Sequence, residues 1–269
     1  MIDLVTYGLI LKITLERRKE MKRIIWICII IFWILAAVKL GLTPLSIIEG
    51  FPRGLEYLNR IIPPDIQYLS RLGPALIETY LIAIVSLGIA VTFALPTSFL
   101  GAFTTSPHPL VYHMVRIIFN LCRGFPPIFL ALLLVSMLGL GPLPAVLALA
   151  IHNIGTLGKY FSEGNEASEC TQISEAMRLD GANWFQVIIY GYIPMLKTLY
   201  IGYILYYFEF SVRASTYLGL VGAGGIGIYL KEAVSLFQYQ RVGTIVLLIF
   251  TMVMVNDLIS AQIRKRIKQ

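Results

Sequence analysis

Charge is what this sequence lacks. Of 269 residues only 14% are Asp, Glu, Lys or Arg, where a soluble domain carries roughly a quarter, and 57% are hydrophobic. No charged side chain occurs from Thr79 to Val115, nor from Gly124 to Gly158. An uncharged apolar run of ~18 residues is long enough to cross a bilayer, and each of these tracts has room for more than one span. That excludes a soluble domain and points to an integral membrane protein, with the lipid bilayer as its first partner.

Other absences narrow the chemistry. The three cysteines lie in an apolar run (Cys28), beside Arg123 (Cys122) and in an acidic loop (Cys170). With no CxxC and no His-rich spacing, neither a disulfide framework nor a metal site is expected. There is no H-E-x-x-H, no carboxylate pair and no Ser-His-Asp arrangement, so the chain is not read as an enzyme. It also lacks G-x-x-x-x-G-K-[ST], so it holds no phosphate-cradling loop of its own. The net charge of +7 is no nucleic-acid signal, because Lys and Arg cluster at the ends of apolar spans, where they set topology.

What is present reads as an all-α membrane protein with six spans: about 24–41, 75–103, 110–138, 143–161, 194–218 and 242–263. Residues 1–23 precede the first span as a cytoplasmic segment. Its apolar stripe (Ile2, Val5, Leu9, Ile13) before "ERRKE" suits an interfacial helix or an extension upstream of a start at Met21. Nothing like A-x-A follows "ILAAVKLG", so 24–41 reads as a retained anchor, not a signal peptide. Residues 42–74 form an extracytoplasmic segment in which Pro63 and Pro64 break any long helix. The remaining spans make up a membrane core at 75–263, and 264–269 is a basic cytoplasmic tail. With both ends inside, fifteen basic residues lie inside and six outside, which supports an N-in, C-in orientation.

One loop is longer than the rest. In "EASECTQISEAMRLDGANWFQVIIYGYIPML" (166–196), Ser174 is a plausible helix cap and Gly181 allows a turn. The segment "WFQVIIY" then restarts a helix that ends before Pro194. The spacing Glu175-Ala176, Gly181, Pro194 resembles the EAA motif of ABC-importer membrane subunits. Met177, Gly191 and Ile193 depart from that motif at its softer positions. "FALPTSFLG" (93–101), "LGLGPLPAVLALAIHNIGTLGKYFSEG" (138–164), "LYYFEFSVRASTYLGLVGAGGIG" (205–227) and "DLISAQIRKRI" (257–267) extend the likeness to the phosphonate-transport permease branch of the type I importers. Tyr207 and Ser211 stand where that branch usually has Arg and Asn.

The resemblance implies a division of labour. Two membrane subunits, here expected as a homodimer because one chain carries one coupling loop, form a pathway. A dimer of cytosolic ATPases, using ATP and magnesium, binds beneath, and an extracytoplasmic binding protein delivers the ligand. The loop 164–193 would dock in a cleft of the ATPase through Glu175, Ala176, Gly181 and Pro194. The expected cargo is a phosphonate or a related phosphorus oxyanion such as phosphate or phosphite. A methionine-type permease is the near alternative. An intramembrane enzyme acting on lipid, or a carrier working without ATP, is the distant one.

"LGLVGAGGIGIYL" (218–230) contains G-x-G-x-x-G, the spacing that cradles a dinucleotide. It follows a membrane span rather than a strand, so nucleotide binding is set aside. Gly222, Gly224, Gly225 and Gly227 then permit tight packing in a connector, an outer gate or a binding-protein dock. Glu209 and Arg213 share a face of the fifth span. Either they neutralise each other and fix packing, or Arg213 lines the pathway with Glu209 steadying it. His152 in span four is open to the same two readings, packing or pathway lining. Arg123 in "RGFPP" is placed at the cytoplasmic surface near the partner subunit.

Overall fold

The computed structural model describes residues 2–42 and 44–267, without side-chain detail at 2–17, 44, 45, 47, 168–171 and 267. Met1, Thr43, Lys268 and Gln269 therefore lie outside it, as does the end of the expected basic tail. The chain divides into two compact units, 1–60 and 61–269. In the first, α1 (Ile2–Lys39) is one uninterrupted helix, with no break where the cytoplasmic segment was expected to give way to the anchor. It is followed by α2 (Pro44–Ile61). The side chains of α1 from Ile24 to Leu35 are mostly exposed, as suits residues whose solvent is lipid.

Every regular element among the described residues of the second unit is a helix. A single turn, α3 (Ile66–Leu69), follows Pro63 and Pro64. Then come α4 (Gly73–Leu100), α5 (Pro109–Gly124), α6 (Pro127–Leu138) and α7 (Pro142–Asn165). The loop helices α8 (Ser168–Leu179) and α9 (Trp184–Gln186) lead through a π-helical stretch, Val187–Tyr192, into α10 (Ile193–Gly219). The unit closes with α11 (Ile226–Ser235) and α12 (Tyr239–Ile267).

Among the described residues four stretches are long and apolar enough to span a membrane: Arg18–Lys39, Gly73–Leu100, Trp184–Gly219 and Tyr239–Arg266. The third expected span is a bent pair, because α5 and α6 meet at 82°. Consecutive prolines explain the bend. Pro126 forces Phe125 into extended backbone (φ −94°, ψ 125°), and Pro127 opens the new helix at a position that needs no amide hydrogen. The fourth expected span, α7, does not meet the same apolar threshold. His152, Asn153, Lys159 and Glu163 lower its hydropathy, yet much of the helix is buried in protein.

Helix α7 is the hub, packing on α4, α5, α6 and α10. Lipid tails are as apolar as leucine, so close packing rather than water exclusion holds such helices together, and small residues allow it. Buried Ala75, Thr79, Ala83, Ala90 and Ala94 recur along α4, and α7 answers with Ala145, Ala148 and Leu149. Against α5 the approach is closer still. A Cβ on Gly158 would lie 2.4 Å from the Phe119 ring, and one on Gly155 would lie 2.6 Å from the Phe119 carbonyl oxygen. A polar clip ties α7 to α10, where Asn153 Nδ2 donates to Ser211 Oγ at 2.9 Å.

Candidate functional site

The loop between α7 and α10 is a helix, a sharp turn and a second helix. Helix α8 begins at Ser168, so Ser174 is not its cap but a buried residue inside it. At the other end the Gly181 amide donates to the Arg178 carbonyl and the Ala182 amide to that of Met177, both at 3.0 Å. These two bonds make a Schellman cap, which requires a left-handed residue. Gly181 supplies it at φ +87°, with nothing within 4 Å of where a Cβ would stand. Asn183 then caps the next helix in a reciprocal box with Gln186.

Glu175 and Ala176 are exposed on α8, and Pro194 is exposed in the first turn of α10. Leu179 is 88% and Phe185 68% exposed, so the turn carries apolar side chains on its outside. Trp184 pins the loop to the rest of the unit, its indole nitrogen donating to the Thr105 carbonyl at 2.7 Å.

A second feature is a cleft of about 670 Å³ lined by Asn120, Arg123, Gly124, His152, Thr156 and Lys159. Helices α5 and α7 are antiparallel here: the Arg123 backbone lies beside Gly155, and Arg116 pairs with Glu166 at 2.8 Å. Arg116, Asn120 and Arg123 therefore share a face of α5, and His152, Thr156, Lys159 and Glu163 share a face of α7. His152 Nδ1 faces the Phe125 carbonyl at 3.2 Å, and its ring stacks on Phe210. Arg123 therefore stands beside the middle of α7.

Glu209 and Arg213 do not line that cleft. Glu209, with its side chain only 7% exposed, accepts a hydrogen bond from Arg264 on α12. Arg213 lies 3.6 Å from Glu209 and 3.7 Å from Asp257. The expected pair is thus a four-residue ion cluster joining α10 to α12. Arg264, the first residue of the expected tail 264–269, is part of helix α12, which runs on to Ile267.

The glycine loop is packed, not slack. A Cβ on Gly227 would meet the Thr216 carbonyl oxygen at 2.1 Å, and one on Gly219 would meet the Gly224 carbonyl oxygen at 2.5 Å. Gly222, Gly224 and Gly225 all have positive φ. The Ile226 amide donates to Thr79 Oγ1 at 2.9 Å, and the Gly141 amide to the Gly222 carbonyl at 3.1 Å. The loop therefore closes on the start of α4 and on the α6–α7 connection.

Residues 94–269 match the family described as the binding-protein-dependent transport system inner membrane component. The chain belongs to that family. It is 37% identical over 224 residues, 83% of this chain and 81% of the other, to the phosphite transport system permease protein PtxC of Stutzerimonas stutzeri. It is 34% identical to the phosphate-import permease protein PhnE of Mycolicibacterium smegmatis, over 86% of this chain and 43% of that one. Among solved structures, an inward-facing MetNI methionine ABC transporter superposes with a TM-score of 0.66 at 19% identity, covering 76% of this chain and all of that one. The expected ABC-importer permease fold of the second unit is supported by that superposition.

As an inner membrane component, the chain is a multi-pass protein of the cytoplasmic membrane and a transport subunit rather than an enzyme. Membership implies a separate ATPase and a substrate-binding protein. Within this permease, Asn120, Thr156 and Lys159 were missed as lining of the cleft because each reads singly as a stray polar group. The signal was their register: His152, Thr156, Lys159 and Glu163 fall at steps of four, three and four along one face of α7.

Proposed function

We propose that this chain is the membrane-spanning permease of an ATP-driven importer for phosphonates or related phosphorus oxyanions, phosphate and phosphite included. The observation that carries the reading is the exposed α8–Gly181 turn, set in a chain of the binding-protein-dependent family. Glu175 has no partner among the described residues, so its carboxylate is free for a basic group or helix N-terminus across an interface. Exposed Leu179 and Phe185 add apolar contact area beside it. Docking there passes nucleotide-driven motion of the ATPase into α7 and α10, which flank the loop. ATP and magnesium act on the partner.

The substrate class rests on the phosphite and phosphate permeases at 37% and 34% identity. We read six spans, N-in and C-in: α1, α4, the bent α5–α6 pair, α7, α10 and α12. One coupling loop per chain favours two copies of the permease. The packed Gly222–Gly227 loop serves as the outer closure, where the binding protein docks.

The test is extraction from native membranes in mild detergent, with wild type beside Gly181→Asp, and mass spectrometry of what accompanies each. An ATPase that co-purifies with wild type and is lost from the variant is the expected result. No ATPase with either form under several gentle conditions defeats the reading. Phosphite, phosphate and phosphonates are then screened against the co-purifying binding protein.

A further inference from the structure

We propose that the Arg123–Lys159 cleft is a weak site for a tetrahedral phosphorus oxyanion in transit, the stretch of the path that selects for charge. This deepens the importer reading above and rests on it. The cleft is lined by two cations, an amide, a hydroxyl and an imidazole, and among the described residues no carboxylate lines it. A cation midway along a membrane helix is costly unless it faces a cavity or a partner.

Arg116 and Arg123 lie on one face of α5 but differ in what they do. Arg116 is consumed by Glu166 and by the Gly101 carbonyl, each at 2.8 Å. Arg123 has no carboxylate partner among the described residues; its Nε donates to Asn120 Oδ1 at 3.2 Å. The negative end of α5 makes a cation tolerable at Arg123. It does not account for the polar companions on α7. The guanidinium fork matches two oxygens of a phosphoryl group, and the Lys159 ammonium adds a point charge.

The remaining groups suit the same guest. With its amide oxygen engaged by Arg123, Asn120 has an NH2 left to donate. Thr156 gives its proton to the His152 carbonyl at 2.8 Å and its hydroxyl also meets Tyr207, which leaves one oxygen lone pair to accept from the protonated oxygen of a monoanion. Lys159 is partly neutralised by Glu163 at 3.6 Å, and Glu163 is shared with Arg116 at 3.8 Å. Holding is therefore weak, as transit requires: a path must bind well enough to admit and loosely enough to release.

An anionic lipid headgroup has the same phosphoryl chemistry, so the test has two arms. The intact importer, co-purified with its ATPase and binding protein, is reconstituted in phosphatidylcholine vesicles. Uptake of inorganic phosphite, inorganic phosphate and methylphosphonate is measured against ATP hydrolysed. Arg123→Gln and Lys159→Gln are each expected to lower oxyanion delivered per ATP about tenfold, the scale of one lost charge-assisted bond. Arg123→Lys should recover most of that, and Lys231→Gln, exposed on α11, should change nothing. Binding-protein-stimulated hydrolysis should stay within about twofold throughout.

Wild-type delivery per ATP in both Gln variants overturns the site. So does a proportional fall of uptake and hydrolysis together, which marks a structural role. In the second arm phosphatidylglycerol is added. If uptake depends on it in wild type and not in Arg123→Gln, the cleft holds a lipid headgroup and the transit site is overturned. If wild type hydrolyses ATP in response to the binding protein yet moves none of the three anions, the substrate reading itself has failed.

Discussion

The Met177 sulfur occupies the space that a side chain at position 191 would need. A Cβ on Gly191 would lie 3.0 Å from Met177 Sδ and 3.7 Å from Ile173 Cγ2. These are two of the three positions at which the loop departs from the EAA pattern, so the departures are coupled: a larger residue on α8 is matched by a missing side chain on the π-helical stretch. Gly191→Ala should be mild, because the thioether end can swing away. Gly191→Ile should cost about 1–3 kcal/mol through overpacking. Met177→Ala alone leaves a gap in a half-buried site, at about 1–2 kcal/mol, below the ~2–5 of full burial. The double variant should recover most of both losses, read as melting temperatures in detergent. Strict additivity would mean the two residues do not interact.

The glycine loop separates two kinds of glycine. Gly227→Ala sets a methyl 2.1 Å from the Thr216 carbonyl oxygen and 2.7 Å from Gly219 Cα. Backbone cannot step aside as a side chain can, so folded yield should fall severely. Gly202 on α10 has nothing within 4 Å, and Gly202→Ala should be neutral or gain up to ~1 kcal/mol from helix propensity. Size-exclusion recovery after membrane extraction distinguishes them. Equal recovery of both variants would mean the tight packing of the loop is not what the fold depends on.

These residues show where sequence reasoning carries and where it stops. Long apolar runs located α4, α10 and α12 to within about four residues at each end, because bilayer thickness dictates length. The same rule read α5 and α6 as one span, since hydropathy cannot see that Pro126 and Pro127 turn the chain by 82°. Glu209 and Arg213 were paired from their i, i+4 spacing, which is local. Arg264, 55 residues away, is visible only once α12 is laid on α10. Arg123 was read from charge near a span end, which says nothing of its neighbours; that it stands beside the middle of α7 follows from the register of α5 on Gly155 and Gly158. The Gly181 turn was legible because a Schellman cap is made by neighbours in sequence.

The α10–α12 ion cluster should behave as a unit. Glu209→Gln removes the one nearly buried carboxylate and leaves Arg264 and Arg213 facing each other. Breaking a buried pair costs ~3–5 kcal/mol; with both arginines partly exposed, the low end of that range applies. That corresponds to a fall of several degrees in melting temperature for a protein of this size. Asp257→Asn should cost less, because its carboxylate is about half exposed. Glu209→Gln combined with Arg264→Gln should be more stable than Glu209→Gln alone. A double variant worse than either single one would mean the helices are held by other contacts and the charges act elsewhere.

Gly181 allows its two possible roles to be told apart. Within the chain it is needed for its φ of +87°, since no atom lies within 4 Å of its Cβ direction. Asparagine tolerates that conformation far better than a β-branched residue does. If backbone angle is all that matters, Gly181→Asn should retain the ATPase in a pull-down while Gly181→Val loses it. If the turn sits in a crowded joint with the ATPase, Asn should fail as badly as Val, although the isolated Gly181→Asn permease folds and melts close to wild type. The second pattern is the one expected, because the exposed Leu179 and Phe185 on either side of the turn have no other apolar surface to cover them among the described residues. Retention of the ATPase by both variants would remove the turn from the interface and move the coupling contact elsewhere on the chain.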